Sequence, residues 1–249
     1  PAVLEISNRK DLLNVKERWQ TIVTKSNFKA PYFQFDWYHS ALQTVDYCKT
    51  PLLLFFKEDE KDIAFAPLVY EKIKIYGFSY YLISFINCAY TPYQGLVYSE
   101  SFEKIIIALV EHLKNKFGSK FILDLSEMRS QPDEAEIIKD LGKRRFFLLD
   151  ESKGGKSRYL KLNSSFAATL GELKKKTQKE FRRKLRRISE LGHLELKRIK
   201  GPDAIRSHLD SFFQLYARTW KGEEPHTEFY YRICEYFDQK DKLYFYCLT

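Results

Sequence analysis

Residues 170–192 have the sequence LGELKKKTQKEFRRKLRRISELG, and the rest of the chain is best interpreted outward from them. Their apolar side chains recur every three or four residues, the spacing of one face of an α-helix. Gly192 is a typical helix stop, and a break near Leu173 is expected. Thr169 and Thr177, each with a glutamate three residues later, both fit the start of such a helix. The apolar face comprises Leu173, Thr177, Phe181, Leu185, Ile188 and Leu191.

The positive charge of the protein is concentrated in this segment. The 249 residues carry a formal net charge of +9. Residues 1–150 hold 20 basic and 20 acidic residues, whereas residues 174–187 hold nine basic residues and one acidic residue, Glu180. Like charges four residues apart, such as Arg182 and Arg186, each destabilise a helix by about 0.3 kcal/mol. The segment therefore presents either a solvated polar face or a surface for an anionic partner.

Guanidinium and ammonium groups bind phosphate and carboxylate, and arginine can do so through two parallel hydrogen bonds. Two aromatic residues join the candidate substrate-binding residues: Tyr93, in a loop over 87–100, and Trp220, at the end of a predicted helix. The alternatives are that the loop is an ordinary connection and that Trp220 anchors a core or packs under the basic helix. The basic candidates are Lys176, Lys179, Arg182, Arg183, Arg186 and Arg187.

Hydrophobic periodicity along the chain predicts a mixed α/β fold. Strands are predicted at 2–6, 52–56, 63–70, 80–86, 120–125, 145–149, 157–162, 194–199 and 243–248. Helices are predicted at 10–26, 36–44, 102–117, 133–141, 173–191, 204–220 and 229–237, with glycines after several of them.

The order of predicted elements begins again after Gly192. Strand, helix, helix and strand occur at the start of the chain and recur over 194–248, which indicates an internal repeat. The first copy continues for roughly 110 residues beyond its second strand, whereas the second stops there, so we expect roughly 100 residues to be missing. The alternative is that the last strand completes the first sheet.

Motifs for several other chemistries are absent from the sequence. It contains no HExxH, GxSxG or GxGxxG pattern. The stretch Gly154-Gly155-Lys156-Ser157 lacks the upstream glycine of a phosphate loop and precedes a strand, so a turn is predicted there. The four cysteines have no zinc-ligand spacing, so no metal is expected. No apolar run approaches the ~20 residues of a membrane span, and a cytoplasmic protein is expected.

Four stretches together resemble the CelD-type branch of the GNAT acyltransferases, which are relatives of the Fem aminoacyltransferases. The most specific is the basic helix at 170–192, and the others are Phe213-Gln-Leu-Tyr-Ala-Arg-Thr-Trp220, Asp241-Lys-Leu-Tyr-Phe-Tyr-Cys-Leu248 and Pro31-Tyr-Phe-Gln-Phe-Asp-Trp37. The resemblance implies tandem GNAT-like units of mixed, mostly antiparallel sheet flanked by helices. They would be an N-terminal unit (1–162), a basic linking helix (163–192) and the start of a second, incomplete acyltransferase unit (193–249).

The resemblance also implies an activity. Enzymes of this family transfer an acyl group from acyl-CoA, such as acetyl-CoA, to an amine, here a small-molecule or glycan-precursor acceptor in polysaccharide or cell-envelope biosynthesis. The family's glycine-spaced pyrophosphate turn is not found at 87–102, so the first unit is not expected to be a CoA site. The turn and the general base are expected beyond Thr249, so residues 1–249 are expected to be inactive by themselves, and no catalytic residue is assigned. The alternatives are a Fem-like transferase that uses aminoacyl-tRNA, and a non-catalytic module that binds anions or nucleic acid.

Overall fold

The computed structural model describes most of the chain, in which two compact units are distinguished. The first unit is Pro1–Gly154 with Glu224–Ile233, and the second is Gly155–Glu223 with Cys234–Thr249. The described residues are 1–28, 30–86, 89–99, 101–128, 132–144, 160–190, 192–193 and 195–248.

The described residues form strands and helices that we number in chain order. The strands are β1 (Ala2–Ile6), β2 (Thr50–Glu58), β3 (Lys61–Ile75), β4 (Phe78–Phe85), β5 (Val97–Tyr98), β6 (Phe121–Asp124), β7 (Leu196–Ile199) and β8 (Phe245–Leu248). The α-helices are α1 (Lys16–Lys25), α2 (Phe35–Gln43), α3 (Phe102–Phe117), α4 (Pro132–Arg144), α5 (Phe166–Gly171), α6 (Lys175–Ser189), α7 (Pro202–Ala217) and α8 (Thr227–Gln239). Short 3₁₀ helices cover Arg9–Val15 and Pro31–Phe33.

The first unit is built on a six-stranded sheet. Its strand order is β1-β2-β3-β4-β6, and β5 pairs with β3. Every pairing is antiparallel except that of β4 with β6, which is parallel. The long strand β3 pairs with β5 at Ala64 and Phe65 and with β4 from Leu68 to Ile75, so one strand carries two neighbours on the same side. This sheet and the helices that pack on it confirm the predicted mixed, mostly antiparallel α/β class.

Both faces of this sheet are covered, because β2 and β3 are apolar on both faces. Alternate side chains point to opposite faces of a strand. Leu54, Phe56 and Ala64 pack in one core with the apolar stripe of α3, whose Ile105 and Leu109 are fully buried. The alternate side chains of β2 and β3, which point to the other face of the sheet, face α1 and α2. Continuous apolar runs in β2 and β3 are thus explained by burial on both sides.

Trp19 on α1 organises the second of these cores. Its side chain is 1% exposed, and its ring centroid lies 4.0 Å from that of Phe65 and 5.0 Å from that of Tyr38. The indole Nε1–H donates a hydrogen bond of 2.8 Å to the carbonyl oxygen of Phe33. This bond satisfies a buried carbonyl in the 3₁₀ turn that leads into α2, so one side chain fixes both the helix and the turn after it.

The order of strands and α-helices over Leu196–Leu248 is the same as that over Ala2–Glu58. Strands β7 and β8 pair antiparallel, with Leu196 opposite Leu248, and α7 and α8 lie between them in sequence. β1 and β2 pair antiparallel in the same way, and α1 and α2 lie between them in sequence. Within the described residues β8 pairs with β7 and not with the first sheet, so the alternative that the last strand completes the first sheet is wrong.

Several predicted boundaries differ from those observed. The helix predicted to stop before Gly142 continues to Arg144, and the strand predicted at 120–125 is β6 at Phe121–Asp124. The break near Leu173 is confirmed, since α5 and α6 are separate helices. Ser165 caps α5 and α6 has no side-chain cap, so neither Thr169 nor Thr177 serves as predicted.

Some predictions concern residues outside the described part of the chain. They are the strand at 145–149, most of the strand at 157–162, and the turn at 154–157; the described residues 160–162 are not a strand. Among the described helices, each is too short or too polar to cross a lipid bilayer.

Glu5 ties the edge strand β1 to α3. Its carboxylate oxygens lie 2.6 Å from Lys116 Nζ and 2.9 Å from His112 Nε2. Burial by itself would raise the pKa of Glu5, but the hydrogen bonds from Lys116 and His112 lower it below the ordinary value. The ionised carboxylate is therefore favoured in the folded state.

We expect the substitution Glu5→Gln to lower the free energy of unfolding by about 1 kcal/mol near neutral pH. Because the folded-state pKa is depressed, this contribution is present above the unfolded pKa and is lost as the pH falls through the folded pKa. The difference between wild type and variant should therefore shrink in acid, as measured by urea denaturation at several pH values. Glu60→Gln, at a carboxylate that is 96% exposed, is the matched control and should have little effect. A constant difference at all pH values would contradict this assignment.

Candidate functional site

Helix α6 carries the six basic candidate residues, and it is amphipathic. Helical spacing places Phe181, Leu185 and Ile188 on one face. The same geometry places most of the cationic side chains on the opposite half of the helix. No residue of α6 is buried.

The basic face of α6 is only weakly neutralised. Arg183 lies 3.7 Å from Glu180, and Arg186 lies 3.6 Å from Glu190, in exposed pairs of the kind that stabilise little. The remaining four candidates have no ion pair with any described residue: Lys176, Lys179, Arg182 and Arg187. This face can therefore bind a phosphate or carboxylate without first breaking a strong internal salt bridge.

The start of α6 is attached to the end of α5 by one side chain. The amide nitrogen of Gln178 donates hydrogen bonds to the carbonyl oxygens of Gly171, at 3.0 Å, and Leu173, at 2.7 Å. These carbonyls would otherwise lack partners at the end of α5. The contact defines where α6 begins, although Lys174 offers no side-chain cap.

Tyr93 lies in the first unit, in the loop between β4 and β5. It is half-buried, and its ring centroid is 6.0 Å from that of Tyr32. Nearby, the Trp37 indole N–H donates a 2.9 Å hydrogen bond to the Thr91 hydroxyl, and the Gln94 backbone N–H donates one of 2.9 Å to the carbonyl of Glu127. The described part of this loop is thus held by both aromatic and hydrogen-bond contacts.

The same loop contacts a distant segment that the sequence analysis did not connect to it. The Tyr90 hydroxyl donates a 2.6 Å hydrogen bond to Glu224, and the Tyr90 ring packs against Phe229 and Tyr230 at 5.7 and 5.8 Å. The Phe229 ring is fully buried and meets Trp37 edge-on at 5.2 Å. The start of α8 therefore belongs to the first unit. The feature of the sequence that indicates this packing is the aromatic run at 229–231.

Trp220 lies in the second unit, just after α7. Its side chain is 92% exposed, and the Lys221 ammonium lies 5.8 Å from the centroid of its ring. The interpretation of Trp220 as a core anchor, or as packed under the basic helix, is wrong. An exposed indole instead offers a flat apolar surface to a ligand.

Burial shifts the pKa of two further side chains, Cys234 and His39. Burial raises the pKa of the Cys234 thiol to about 11, and Asp238 acts in the same direction. This thiol therefore stays protonated near neutral pH and is not a nucleophile. Burial lowers the pKa of His39, opposed by Asp36 and assisted by Arg232. No described cluster of three His, Cys, Asp or Glu side chains could hold a metal ion.

We expect Tyr90→Phe to loosen the start of α8 from the first unit. The variant loses a hydrogen bond to a carboxylate, which contributes about 1–2 kcal/mol. Amide hydrogen exchange at 229–233 should become faster, and the free energy of unfolding should fall by that amount. Tyr76→Phe is the matched control, because Tyr76 is 97% exposed and should tolerate loss of its hydroxyl. Equal exchange in both variants would show that the Tyr90–Glu224 contact does not hold this segment.

Comparisons with known proteins find similarity over part of the chain. No curated protein matches the chain. Among solved structures, a ribosomal-protein-alanine N-acetyltransferase from Brucella melitensis biovar Abortus 2308 aligns over 64% of this chain and 100% of its own, with 10% identity and a TM-score of 0.32. The segment that starts with α6, residues 175–249, matches the family model described as an acetyltransferase (GNAT) domain.

Proposed function

We propose that the protein is an N-acyltransferase of the GNAT superfamily, which transfers an acyl group from acyl-CoA to an amine. The observation that carries this proposal is the match of residues 175–249 to a GNAT acetyltransferase domain. Acetyl-CoA is the proposed donor, and a small-molecule or glycan-precursor amine is the proposed acceptor. The resemblance to CelD-type and Fem proteins further suggests a cytoplasmic step of polysaccharide or cell-envelope biosynthesis.

The proposed reaction is a direct transfer. The deprotonated amine attacks the thioester carbonyl, the carbon–sulfur bond breaks, and CoA leaves as the thiol after it takes up a proton. A general base must remove the proton of the ammonium group. This chemistry requires no covalent intermediate on the protein.

The basic face of α6 is proposed to bind the anionic groups of the donor or the acceptor. CoA carries several phosphates, and activated glycan precursors carry phosphate or carboxylate groups, so both present charges that arginine binds bidentately. Lys176, Lys179, Arg182 and Arg187 support this role because no described residue neutralises them. Tyr93 and Trp220 are proposed to contact substrate through their rings, and Trp220 has the exposure that such a contact requires.

The proposed organisation is a tandem arrangement of GNAT-like units, with boundaries near 162 and 192. The repeated order of strand, two helices and strand, with antiparallel pairing in each copy, supports it. Because the glycine-spaced pyrophosphate turn is not found at 87–102, we also propose that the first unit is not the CoA site and that residues 1–249 have little or no activity by themselves.

A Fem-like reaction that uses aminoacyl-tRNA is the second candidate function. The exposed cationic face of α6 favours it, because an RNA backbone is a polyanion that such a face can bind. Binding of tRNA would weaken steeply with salt, whereas binding of a single CoA molecule would depend on salt less strongly. A non-catalytic module would bind neither acyl-CoA nor a substrate amine.

We expect the double substitution Arg183→Glu/Arg186→Glu to weaken acetyl-CoA binding by about tenfold or more, because charge-assisted hydrogen bonds each contribute about 1.5–3 kcal/mol. Both side chains are exposed and the apolar stripe is unchanged, so thermal stability should stay the same. Isothermal titration with acetyl-CoA measures the binding, and thermal denaturation measures the stability. Lys72→Glu/Lys74→Glu, with exposed lysines on β3, makes the same change in charge elsewhere and should bind normally.

Other outcomes of this titration separate the candidates. Tight, salt-sensitive binding of tRNA with no heat from acetyl-CoA would favour the tRNA-dependent reaction. No binding of either ligand would favour the non-catalytic module. A loss of thermal stability in the Arg183→Glu/Arg186→Glu variant, with binding retained, would show that the basic helix is structural.

A further inference from the structure

One half-buried carboxylate of the first unit, that of Glu224, forms no ion pair with a described residue. In the same unit Glu5, Asp36 and Asp62 are also half-buried, and each contacts a lysine or an arginine. A charge that is withdrawn from water loses solvation energy unless a partner compensates it. The carboxylate of Glu224 is therefore suited to bind a cation from a ligand.

Two hydrogen bonds hold this carboxylate in place, and both use the same oxygen. The Tyr90 hydroxyl donates a hydrogen bond of 2.6 Å to Oε1 of Glu224, and the backbone N–H of His226 donates one of 3.1 Å to the same atom. The other oxygen, Oε2, accepts no hydrogen bond from a described residue. Because a carboxylate has about four acceptor positions, Oε2 can accept hydrogen bonds from a ligand.

Aromatic rings surround the tyrosine that holds the carboxylate. The Tyr90 ring centroid lies 5.7 Å from that of His226 and 5.8 Å from that of Tyr230, with interplanar angles of 87° and 90°. Tyr90, His226 and Tyr230 are half-buried, so a small solute can reach part of each ring. The face of a tyrosine ring attracts cations. A carboxylate beside perpendicular aromatic rings is a combination that recognises an organic ammonium ion.

These residues come from two segments that are distant in sequence and belong to the first unit. Tyr90 lies in the loop between β4 and β5, and the other residues lie just before α8 or in its first turn. The buried ring of Phe229 packs against both Tyr90, at 5.7 Å, and Trp37, at 5.2 Å, so it supports the group from below. Loop residues positioned on a packed core are typical of binding sites.

We propose that Tyr90, Glu224 and Tyr230 form a binding site for an organic ammonium group, and that this group is the amine of the acyl acceptor. Oε2 of Glu224 would accept a hydrogen bond from the ammonium, and the tyrosine rings would contact the carbon atoms next to it. The need for an N–H donor favours a primary ammonium over a quaternary one. Naming the ligand as the acceptor rests on the proposed acyl transfer, whereas the binding of an ammonium ion does not.

Binding of small amines tests this site in the absence of an acyl donor. Saturation-transfer NMR with residues 1–249 is expected to show binding of glucosamine or n-butylamine near neutral pH. Glucose, which has no ammonium group, is expected to bind more weakly than either. Tetramethylammonium has the charge but no N–H donor, and we expect it to bind about tenfold more weakly than n-butylamine, because a charge-assisted hydrogen bond is lost. The tighter of the two amines indicates whether the acceptor is an amino sugar or an alkylamine.

The substitution Glu224→Gln removes the charge and keeps an oxygen that accepts from Tyr90 and His226. The fold is therefore expected to be retained, with unchanged amide hydrogen exchange at 229–233. Binding of the amines is expected to fall by about tenfold or more. The matched control is Glu223→Gln, which removes the same charge from the exposed neighbouring residue and should bind as the wild type does. Tyr230→Leu, which removes one ring, is expected to weaken amine binding about threefold.

Four results would overturn the proposal. They are no binding of either amine to the wild type, binding of glucose as tight as that of both amines, unchanged amine binding by Glu224→Gln, and an equal loss in Glu223→Gln. If Glu224→Gln speeds exchange at 229–233 and leaves amine binding unchanged, the carboxylate only stabilises the start of α8, where a negative charge is favoured. The NMR assay contains no acyl-CoA, and the acetyl-CoA titration contains no amine. Failure of the ammonium site and failure of the acyl-transfer proposal are therefore distinguishable.

Discussion

Burial of strand β3 on both of its faces is the constraint on which the first unit depends. Seven consecutive residues, Ile63–Val69, are buried, and neighbouring β2 is buried over 51–56. A sheet with such strands at its centre is stable only when helices cover both sides. The stripe of α3 covers one side, and α1 and α2 cover the other with Trp19 at the centre. Large aromatic side chains such as Phe55, Phe56 and Phe65 fill these two layers.

The helices of the second unit bury fewer side chains than those of the first. This difference explains why the charged side chains of α6 are exposed. Ile205 and Leu209 on α7 are buried, whereas α6 buries no side chain. Where little apolar surface is withdrawn from water, the charged side chains of a helix stay exposed. The same sequence feature, a strongly amphipathic helix, thus has opposite consequences in α3 and α6.

Local sequence patterns predicted where the helices and strands lie better than they predicted which residues contact each other. The periodic stretch at 102–117, followed by Gly118, forms the predicted helix because its stripe and its stop signal agree. Gly142 did not end α4, because a single glycine lowers helix stability by only about 1 kcal/mol. The basic residues of α6 were found because charge is visible in sequence. The Tyr90–Glu224 contact joins residues 134 apart, and no local period encodes such a pairing.

The three tryptophans differ in how far they are exposed to solvent, so we expect their intrinsic fluorescence to differ. Trp19 is enclosed in the first unit and Trp37 is partly enclosed there, whereas Trp220 stands in water in the second. Indole emission shifts to longer wavelength in water, and dissolved quenchers reach an open ring far more readily than an enclosed one. A structural change in the first unit and one in the second unit are therefore expected to alter the tryptophan fluorescence in different ways, without any added label.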